Sequence, residues 1–442
     1  MAKNPRYWSE KSETLSPEEY REVQNKAFLR EFKYICDNSL FYKEKYGALG
    51  LETGDIKKLD DLKKLPFTTK LELRNSLQAC PPLGKHIATS IDKVVRIYST
   101  SGTSGTPTYI GLTRHDLDVW RECCTRGLWA TGMRPHHIIP EVVGTFFVGA
   151  AYGDAIENLG AAHVPIGIGA TDRLITAIQK LGANFMNVTT SFALYFIDAC
   201  QQRGVNTRSL NIKGFMVGGE PGGGIPHIRN RIEEAFGASV QEVMGNGDMI
   251  ACIWAECEQK KGMHFIAQGM CYPEIIDPDT HEVMEVREGI EGELVYTSLN
   301  RECQPLIRFR TGDHVIVTQT SCECGRTGYG IRCIGRMDDM LIVSGVNIYP
   351  LAVKEIVSSF IPRVTGEILI QLDEPPPSVK PPMKIKVELG EYPGEQQELK
   401  KAIDASLREK LIFRADVRFV PMGSLPKYEY KSRLVEKAYE KK

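Results

Sequence analysis

No apolar run in this 442-residue chain approaches the length of a membrane span. A helical membrane protein is therefore not expected. The opening residues, Met1 to Glu10, hold no apolar signal region, so the expected location is the cytoplasm. Neither charge is in excess: 55 Lys and Arg against 56 Asp and Glu leave a net charge of -1. There is also no basic stripe interleaved with aromatics, so neither a nucleic-acid partner nor a membrane-surface partner is expected. No internal repeat occurs, and no Gly-Lys-Ser/Thr follows a glycine-rich loop at the spacing of a Walker motif. Cysteine is present, at twelve residues, but most are scattered singly through apolar segments, the usual pattern of reduced, buried thiols. What remains is a globular protein of two or three domains with ample core.

The most informative stretch is residues 99 to 108, Ser-Thr-Ser-Gly-Thr-Ser-Gly-Thr-Pro-Thr. Small hydroxyl side chains and two glycines pack nothing, but they can bring backbone N–H groups and hydroxyls close to an anion. Val94 to Tyr98 reads as a short buried strand before it, and Tyr109 to Leu112 as another after it. The stretch is thus a phosphate-loop candidate. A polar surface hairpin or flexible linker is the other reading.

The rest of the chain falls into three parts. Residues 1 to 80 look helical and polar, with Ser16-Pro17-Glu18-Glu19 as a helix start and Leu65 to Lys70 as another. The first helix runs through Leu29, Phe32 and Ile35 and is expected to end at Asn38 to Tyr42. Residues 90 to 300 alternate strand-like and helix-like segments. Ile138 to Val148, Phe185 to Val188, Gly214 to Val217 and Val240 to Met244 read as strands, and Ile228 to Phe236 as a helix ending at Gly237. Such alternation predicts an α/β core of mostly parallel strands, with ligands at their carboxyl ends. The loops 99–108, 218–224 and 245–248 lie at such ends. Residues 283 to 317 read as antiparallel. A domain boundary is placed at Gly335 to Met340, and the last hundred residues read β-α-β-β-α-β, with Glu374 to Pro382 as a loop.

Six segments in order resemble the phenylacetate–CoA ligase family of adenylate-forming enzymes, over essentially the whole chain. They are Asn38 to Tyr42 with Leu65 to Lys70, the 99–108 loop, Gly218-Gly219-Glu220-Pro221, Arg310-Thr311-Gly312-Asp313, Gly335 to Pro350, and Pro426 followed by Lys431. The resemblance implies an α/β fold, with a large amino-terminal domain over 1–337, opened by the helical segment 1–80, and a small mobile α+β domain over 338–442. It implies ATP, magnesium and coenzyme A as cofactors and a small carboxylic acid as substrate. A homodimer is the default expectation.

By the same resemblance, Ser99, Thr100, Ser101, Gly102 and Thr103 cradle phosphates. Gly219, Glu220 and Pro221 lie beside adenine, Asp313 meets the ribose, Arg336 contacts ribose or phosphate oxygens, and Asp338 is the hinge. Lys431 reaches the α-phosphate and carboxylate, and Gly345 moves to a pantetheine channel. The chemistry suits these residue types, because carboxylate and triphosphate are both anions whose repulsion must be neutralised.

The sequence departs from the family at Met244-Gly245-Asn246-Gly247-Asp248, where Tyr-Gly-x-Ser/Thr-Glu is usual. Asp248, one methylene shorter than Glu, becomes the expected magnesium holder. Gly245 and Asn246 stay beside the nucleotide. The acyl pocket is expected from Phe146, Phe147, Val148, Gly149, Ser191, Phe192 and Met244. Its apolar and aromatic character suits a flat aromatic acid, while the phenylalanines are equally readable as core.

Cys257, His264, Cys322 and Cys324 together have the composition of a closed zinc site, with Cys252 as a substitute ligand. The two pairs lie more than fifty residues apart in sequence, and four reduced loop residues is the other reading. Cys123 and Cys124 read as helix core. The leading function is an AMP-forming ligase joining an aromatic or arylacetic acid to coenzyme A. The alternatives are a carrier-protein thiol or an amine as acceptor, or a non-catalytic nucleotide-binding relative.

Overall fold

The computed structural model describes residues 5–100, 108–391, 394–428 and 433–441. The amino-terminal helices form where their caps predict. Ser16 accepts a hydrogen bond from the Glu19 amide, the Glu19 carboxylate accepts one from the Ser16 amide, and Pro17 opens the helix Pro17–Asn38. Thr69 and Glu72 form the same reciprocal pair at the start of Lys70–Ala79. The first helix does not simply end at Asn38 to Tyr42. Extended Ser39 interrupts it, and a second helix, Leu40–Gly47, follows. This turn buries Tyr42, whose hydroxyl accepts a hydrogen bond from the Ile307 amide at 2.8 Å. A small core of Phe28, Phe32, Ile35, Tyr42 and Leu65 closes against Leu299 and Ile307.

Among the described residues, the largest sheet has eleven strands. Ala162–Pro165, Ile138–Glu141, Phe185–Val188, Gly214–Val217 and Ser239–Asn246 lie side by side and parallel, separated along the chain by helices. Beyond Ser239–Asn246 the pairing becomes antiparallel, through Ile250–Glu256, Met263–Phe265, Gly330–Arg336, Phe309–Gln319, Glu291–Ser298 and Cys271–Ile276. The α/β expectation therefore holds from Ile138 to Val243, and the antiparallel reading of 283–317 holds too. Ile250–Glu256, Met263–Phe265 and Cys271–Ile276, within the stretch read as parallel, are antiparallel, because Ser239–Asn246 turns back through a hairpin. The helix Pro226–Phe236 stops at Gly237 with φ of 65°, the left-handed conformation that glycine adopts without strain.

Two loops differ from expectation. Arg96–Ser99 and Tyr109–Leu112 pair with each other in a separate two-stranded sheet, not within the large one. The first starts at Arg96 and not Val94, and only its second half, Tyr98 and Ser99, is buried, with Val95 and Ile97 exposed. Residues 245–248 span the end of the strand Ser239–Asn246 and the start of the 247–249 turn that joins it to Ile250–Glu256 in a β-hairpin. A Cβ on Gly245 would stand 2.0 Å from the Ala251 carbonyl oxygen, so this hairpin closes only on glycine.

The carboxy-terminal part has its own core, built from Leu341, Val353, Ile370, Ile385, Leu399, Leu407 and Val417 among others. The helices Pro350–Ser358 and Gln396–Leu411 and the strands Val364–Leu372, Met383–Leu389 and Ala415–Val420 match the sequence reading. Three short strands do not: Val346–Ile348, Ser378–Val379 within the proline-rich loop, and Val435–Lys437 in the basic tail. Leu434 packs against both this core and the core of the parallel sheet. Among the described residues, no helix is long and apolar enough to cross a membrane.

Candidate active site

The loops 142–149, 189–191, 218–224 and 245–248 all follow the carboxyl ends of parallel strands. There the side chains face backbone groups that have left the sheet. Ser101, Gly102 and Thr103 lie outside the described residues, as does Lys431. The neck of their loop is described. Thr100 donates its amide to the Thr108 carbonyl at 3.0 Å and accepts the Thr108 amide on its hydroxyl at 3.1 Å. Ser99 donates its amide to the Phe146 carbonyl at 2.9 Å. The neck is thus stitched to the candidate acyl segment.

The same neck reaches Asp248. Lys70 donates to both Asp248 oxygens, at 2.7 and 2.6 Å, and to the Thr108 hydroxyl at 2.8 Å. The expected magnesium holder therefore already carries a cation. Lys70 stood in a recognised segment but had no assigned role. Its only signal was a lysine directly after the Thr69 cap. Gly247 brings its backbone against Thr100 and Val148, each 3.3 Å from where its Cβ would be. Met244 and Val148 are half-buried and rest on the same core. Asn246 accepts the Asp248 amide at 3.0 Å and shapes the turn.

On the other side, Gly219 has φ of 78°, and Glu220 accepts the Ser191 amide at 2.6 Å, at the first turn of the helix Thr190–Gln202. A carboxylate there is stabilised by free N–H groups and the helix dipole. The turn Gly218 to Gly224 is held from behind. Glu242 accepts the Gly222 amide at 3.1 Å, and Arg229 donates to the Gly223 carbonyl at 3.0 Å and to Glu256 at 2.6 Å. Burial, with Glu256 close by, pushes Glu242 up to about 7.

Asp313 and Arg336 face each other across paired strands, with Arg336 Nη1 at 2.8 Å from the carboxylate. Arg336 also donates to Asp338 at 2.8 and 3.1 Å. Burial raises Asp313 despite the adjacent guanidinium. Gly345 stands exposed at the tip of the hairpin Leu341–Val343 and Val346–Ile348, with φ of 82°.

Two acyl-pocket expectations change. Phe146 is 54% exposed, its ring 6.3 Å from Tyr109. Phe192 is core: its ring packs on Tyr195 and Phe196, at 5.8 and 5.9 Å. It sits on the buried face of its helix, and Ser191, one residue earlier, points elsewhere. Phe147, bridged to Ser99 of the neck, and Gly149, against Val143, are half-buried.

Distant in sequence, Cys257, His264, Cys322 and Cys324 converge, their ligand atoms all within 4.8 Å of one another. Cys252 is not in this group. It lies in the core behind Gly127. Cys257 Sγ is 3.9 Å from Cys322 Sγ, and His264 Nε2 is 3.5 Å from Cys324 Sγ. A tetrahedral zinc with ordinary bond lengths has ligand–ligand edges of about 3.8 and about 3.5 Å. The donor set and spacing therefore fit zinc. Cys123 and Cys124 are buried on the helix Arg114–Ala130, as expected of core thiols.

Residues 345–437 match the AMP-binding enzyme C-terminal domain. A phenylacetate-coenzyme A ligase from Thermus thermophilus is 34% identical over 357 residues, covering 80% of this chain and 78% of that protein. A crystal structure of 2-hydroxyisobutyryl-CoA ligase in the postadenylation state, in complex with 2-HIB-AMP, aligns with a TM-score of 0.91 and 26% identity. That alignment covers 100% of this chain and 95% of that one. The same enzyme with 2-HIB-AMP and CoA in the thioesterification state gives a TM-score of 0.72 at 27% identity, over 99% and 93% of the two chains.

Glu242 makes a testable pH signature. The folded protein holds its proton up to about 7, whereas the unfolded chain releases it near 4.5. This group's contribution to stability is present below that lower value and is lost as pH rises through about 7. Glu242→Gln should therefore gain stability relative to wild type between these two values, read as urea midpoints from pH 4 to 8. A difference that stays constant over that range would contradict the burial of an ionisable Glu242.

Proposed function

Because the chain belongs to the phenylacetate–CoA ligase family of adenylate-forming enzymes, we propose that it is an AMP-forming acid–CoA ligase for an aromatic or arylacetic acid. The observation that carries the reading is the meeting of the phosphate-loop neck, the half-buried Val148–Met244 wall and Asp248 at the carboxyl ends of the parallel strands.

In this reading, Ser99 to Thr103 hold the β- and γ-phosphates of ATP. Gly219, Glu220 and Pro221 border the adenine, and Asp313 accepts from the ribose hydroxyls with Arg336 beside it. Lys431 brings its charge to the α-phosphate and the incoming carboxylate. The carboxylate oxygen attacks the α-phosphorus, the bond to the β-phosphate oxygen breaks, and pyrophosphate leaves. The oxygens of Asp248, Thr108 and Thr100 suit a hard cation. Magnesium there would supply charge neutralisation to the phosphates. Lys70 shares that work, because it already neutralises Asp248.

Val148, Gly149, Ser191 and Met244 line the acyl side. Phe147 closes its rim, exposed Phe146 stands outside, and Phe192 backs it from the core. Met244 and Gly247 leave more room than an aromatic and a hydroxyl residue would, which favours an acid other than phenylacetate itself. The division falls at 337/338. The carboxy-terminal part turns about Asp338 after adenylation, withdrawing Lys431 and bringing the Gly345 hairpin to the thiol of coenzyme A. The closer overall match to the postadenylation structure supports reading the present arrangement as the adenylating one. Cys257, His264, Cys322 and Cys324 hold a structural zinc, which stabilises the folded knuckle when bound.

Pyrophosphate release with ATP and magnesium, across aromatic and aliphatic acids, tests the reading. Release with an aromatic acid that rises on adding coenzyme A is expected. Release indifferent to coenzyme A would move the acceptor to another thiol or an amine. No release with any acid would favour a non-catalytic relative. Zinc should co-purify at about one per chain. Metal-free protein with undiminished thermal stability would contradict the zinc site.

A further inference from the structure

Three candidates stand outside the site described above. A cavity of about 460 Å³ lies between the amino-terminal helices, lined by Phe32, Cys36, Tyr42, Tyr46 and Leu51, but nothing in it selects a ligand. The segment from Arg6 to Leu15 is laced onto the cysteine knuckle, through Tyr7 on the Cys324 carbonyl and Glu13 on Arg326; this explains stability and no chemistry. The third is a set of charges between the two parts of the chain, and it carries an inference.

Asp198 lies on the helix Thr190–Gln202, seven residues after Ser191. That spacing puts it on the same face, about 10 Å further along the axis. Its carboxylate receives the ammonium group of Lys427 from the carboxy-terminal part. Arg231, from the helix Pro226–Phe236, stands 3.8 Å from the same carboxylate. Arg231 also donates to the Thr365 carbonyl of the carboxy-terminal part at 2.9 Å. One acidic side chain of the large part thus faces two cations, one from each side of the junction.

Lys427 stands four residues before Lys431. Described residues on either side of Lys431 are held. On one side Lys427 is held by Asp198, and the Leu425 amide donates to Glu388 at 3.0 Å. On the other, Leu434 accepts the Ile370 amide at 2.8 Å and packs between two cores. If the carboxy-terminal part turns, Lys427 must leave Asp198. Arg231 belongs to the large part and stays, so the carboxylate is never stranded without a cation. With Arg231 beside it in either case, Asp198 keeps a cation whether Lys427 is held or gone, which is what a two-state element needs.

We propose that Asp198 is a positioning residue for adenylation: by holding Lys427 it keeps the carboxy-terminal part docked on the large part in the present arrangement, and with Arg231 left beside it the carboxylate releases Lys427 when that part turns. The proposal rests on the ligase reading and adds to it the residues that bias its two states. Half-exposed ion pairs contribute little to overall stability, but a small bias suffices to shift the populations of two nearly balanced states.

The test is Asp198→Asn, with Asp198→Glu and Lys427→Met beside it, using phenylacetate as the probe acid, or whichever panel acid the wild type activates best. Acid-dependent ATP–pyrophosphate exchange reads the first half-reaction. Thioester formation from added acyl-adenylate and coenzyme A reads the second. For Asp198→Asn and Lys427→Met, the turnover of exchange should fall about tenfold with the KM for the acid unchanged. Their thioester formation should match or exceed wild type, and Asp198→Glu should recover most of the exchange. Exchange at the wild-type rate in Asp198→Asn, or equal loss of both half-reactions that Asp198→Glu does not recover, would overturn the role of Asp198. A wild-type protein that exchanges with no acid would overturn the ligase reading instead.

Discussion

One guanidinium ties the large sheet to the carboxy-terminal part. Arg336 ends a strand of the large sheet, pairs with buried Asp313 on the neighbouring strand, and forks to Asp338 at the start of the next segment. Asp313 needs it, because burial alone disfavours the ionised carboxylate. The surroundings leave little slack. A Cβ on Gly335 would sit 2.5 Å from the Tyr349 ring, and the Tyr349 hydroxyl meets His314. One region where the two parts meet therefore rests on contacts within a few residues of one carboxylate.

The same economy of charge recurs elsewhere. The chain as a whole carries almost no net charge, yet the proposed reaction brings a carboxylate against a triphosphate. Cations must be supplied locally, and each would repel its neighbours if left alone. Lys70 rests on Asp248, Arg336 on Asp313 and Asp338, and Lys427 on Asp198. Each pair gives a cation a resting partner that a stronger anion can displace. Such compensated sites hold their geometry before a ligand arrives, which lowers the reorganisation needed for the reaction.

Much of this was legible from residue order. Buried strands such as Phe185–Val188 and Gly214–Val217, and helices with clear caps such as Pro17–Asn38, follow local rules that the chain states openly. The three-residue strands Val346–Ile348 and Val435–Lys437 are too short to show a period, and they exist because neighbouring strands offer them partners. The site divides in the same way. Local turns, such as that at Gly219 with its φ of 78°, are readable from a single segment. Lys70 with Asp248, or Asp198 with Lys427, are not, because contacts across 178 or 229 residues leave no mark in spacing. Phe192 shows the converse: an aromatic beside a site residue reads as pocket until the helix face assigns it to the core.

In the proposed reaction a carboxylate oxygen attacks the α-phosphorus of ATP. The most direct measurement follows that oxygen. An activated acid labelled with ¹⁸O in its carboxylate, turned over with ATP and coenzyme A, should place one labelled oxygen on the phosphate of AMP, read by mass spectrometry, with the other left in the thioester carbonyl. Unlabelled AMP, or label appearing in inorganic phosphate alongside ADP, would contradict the account.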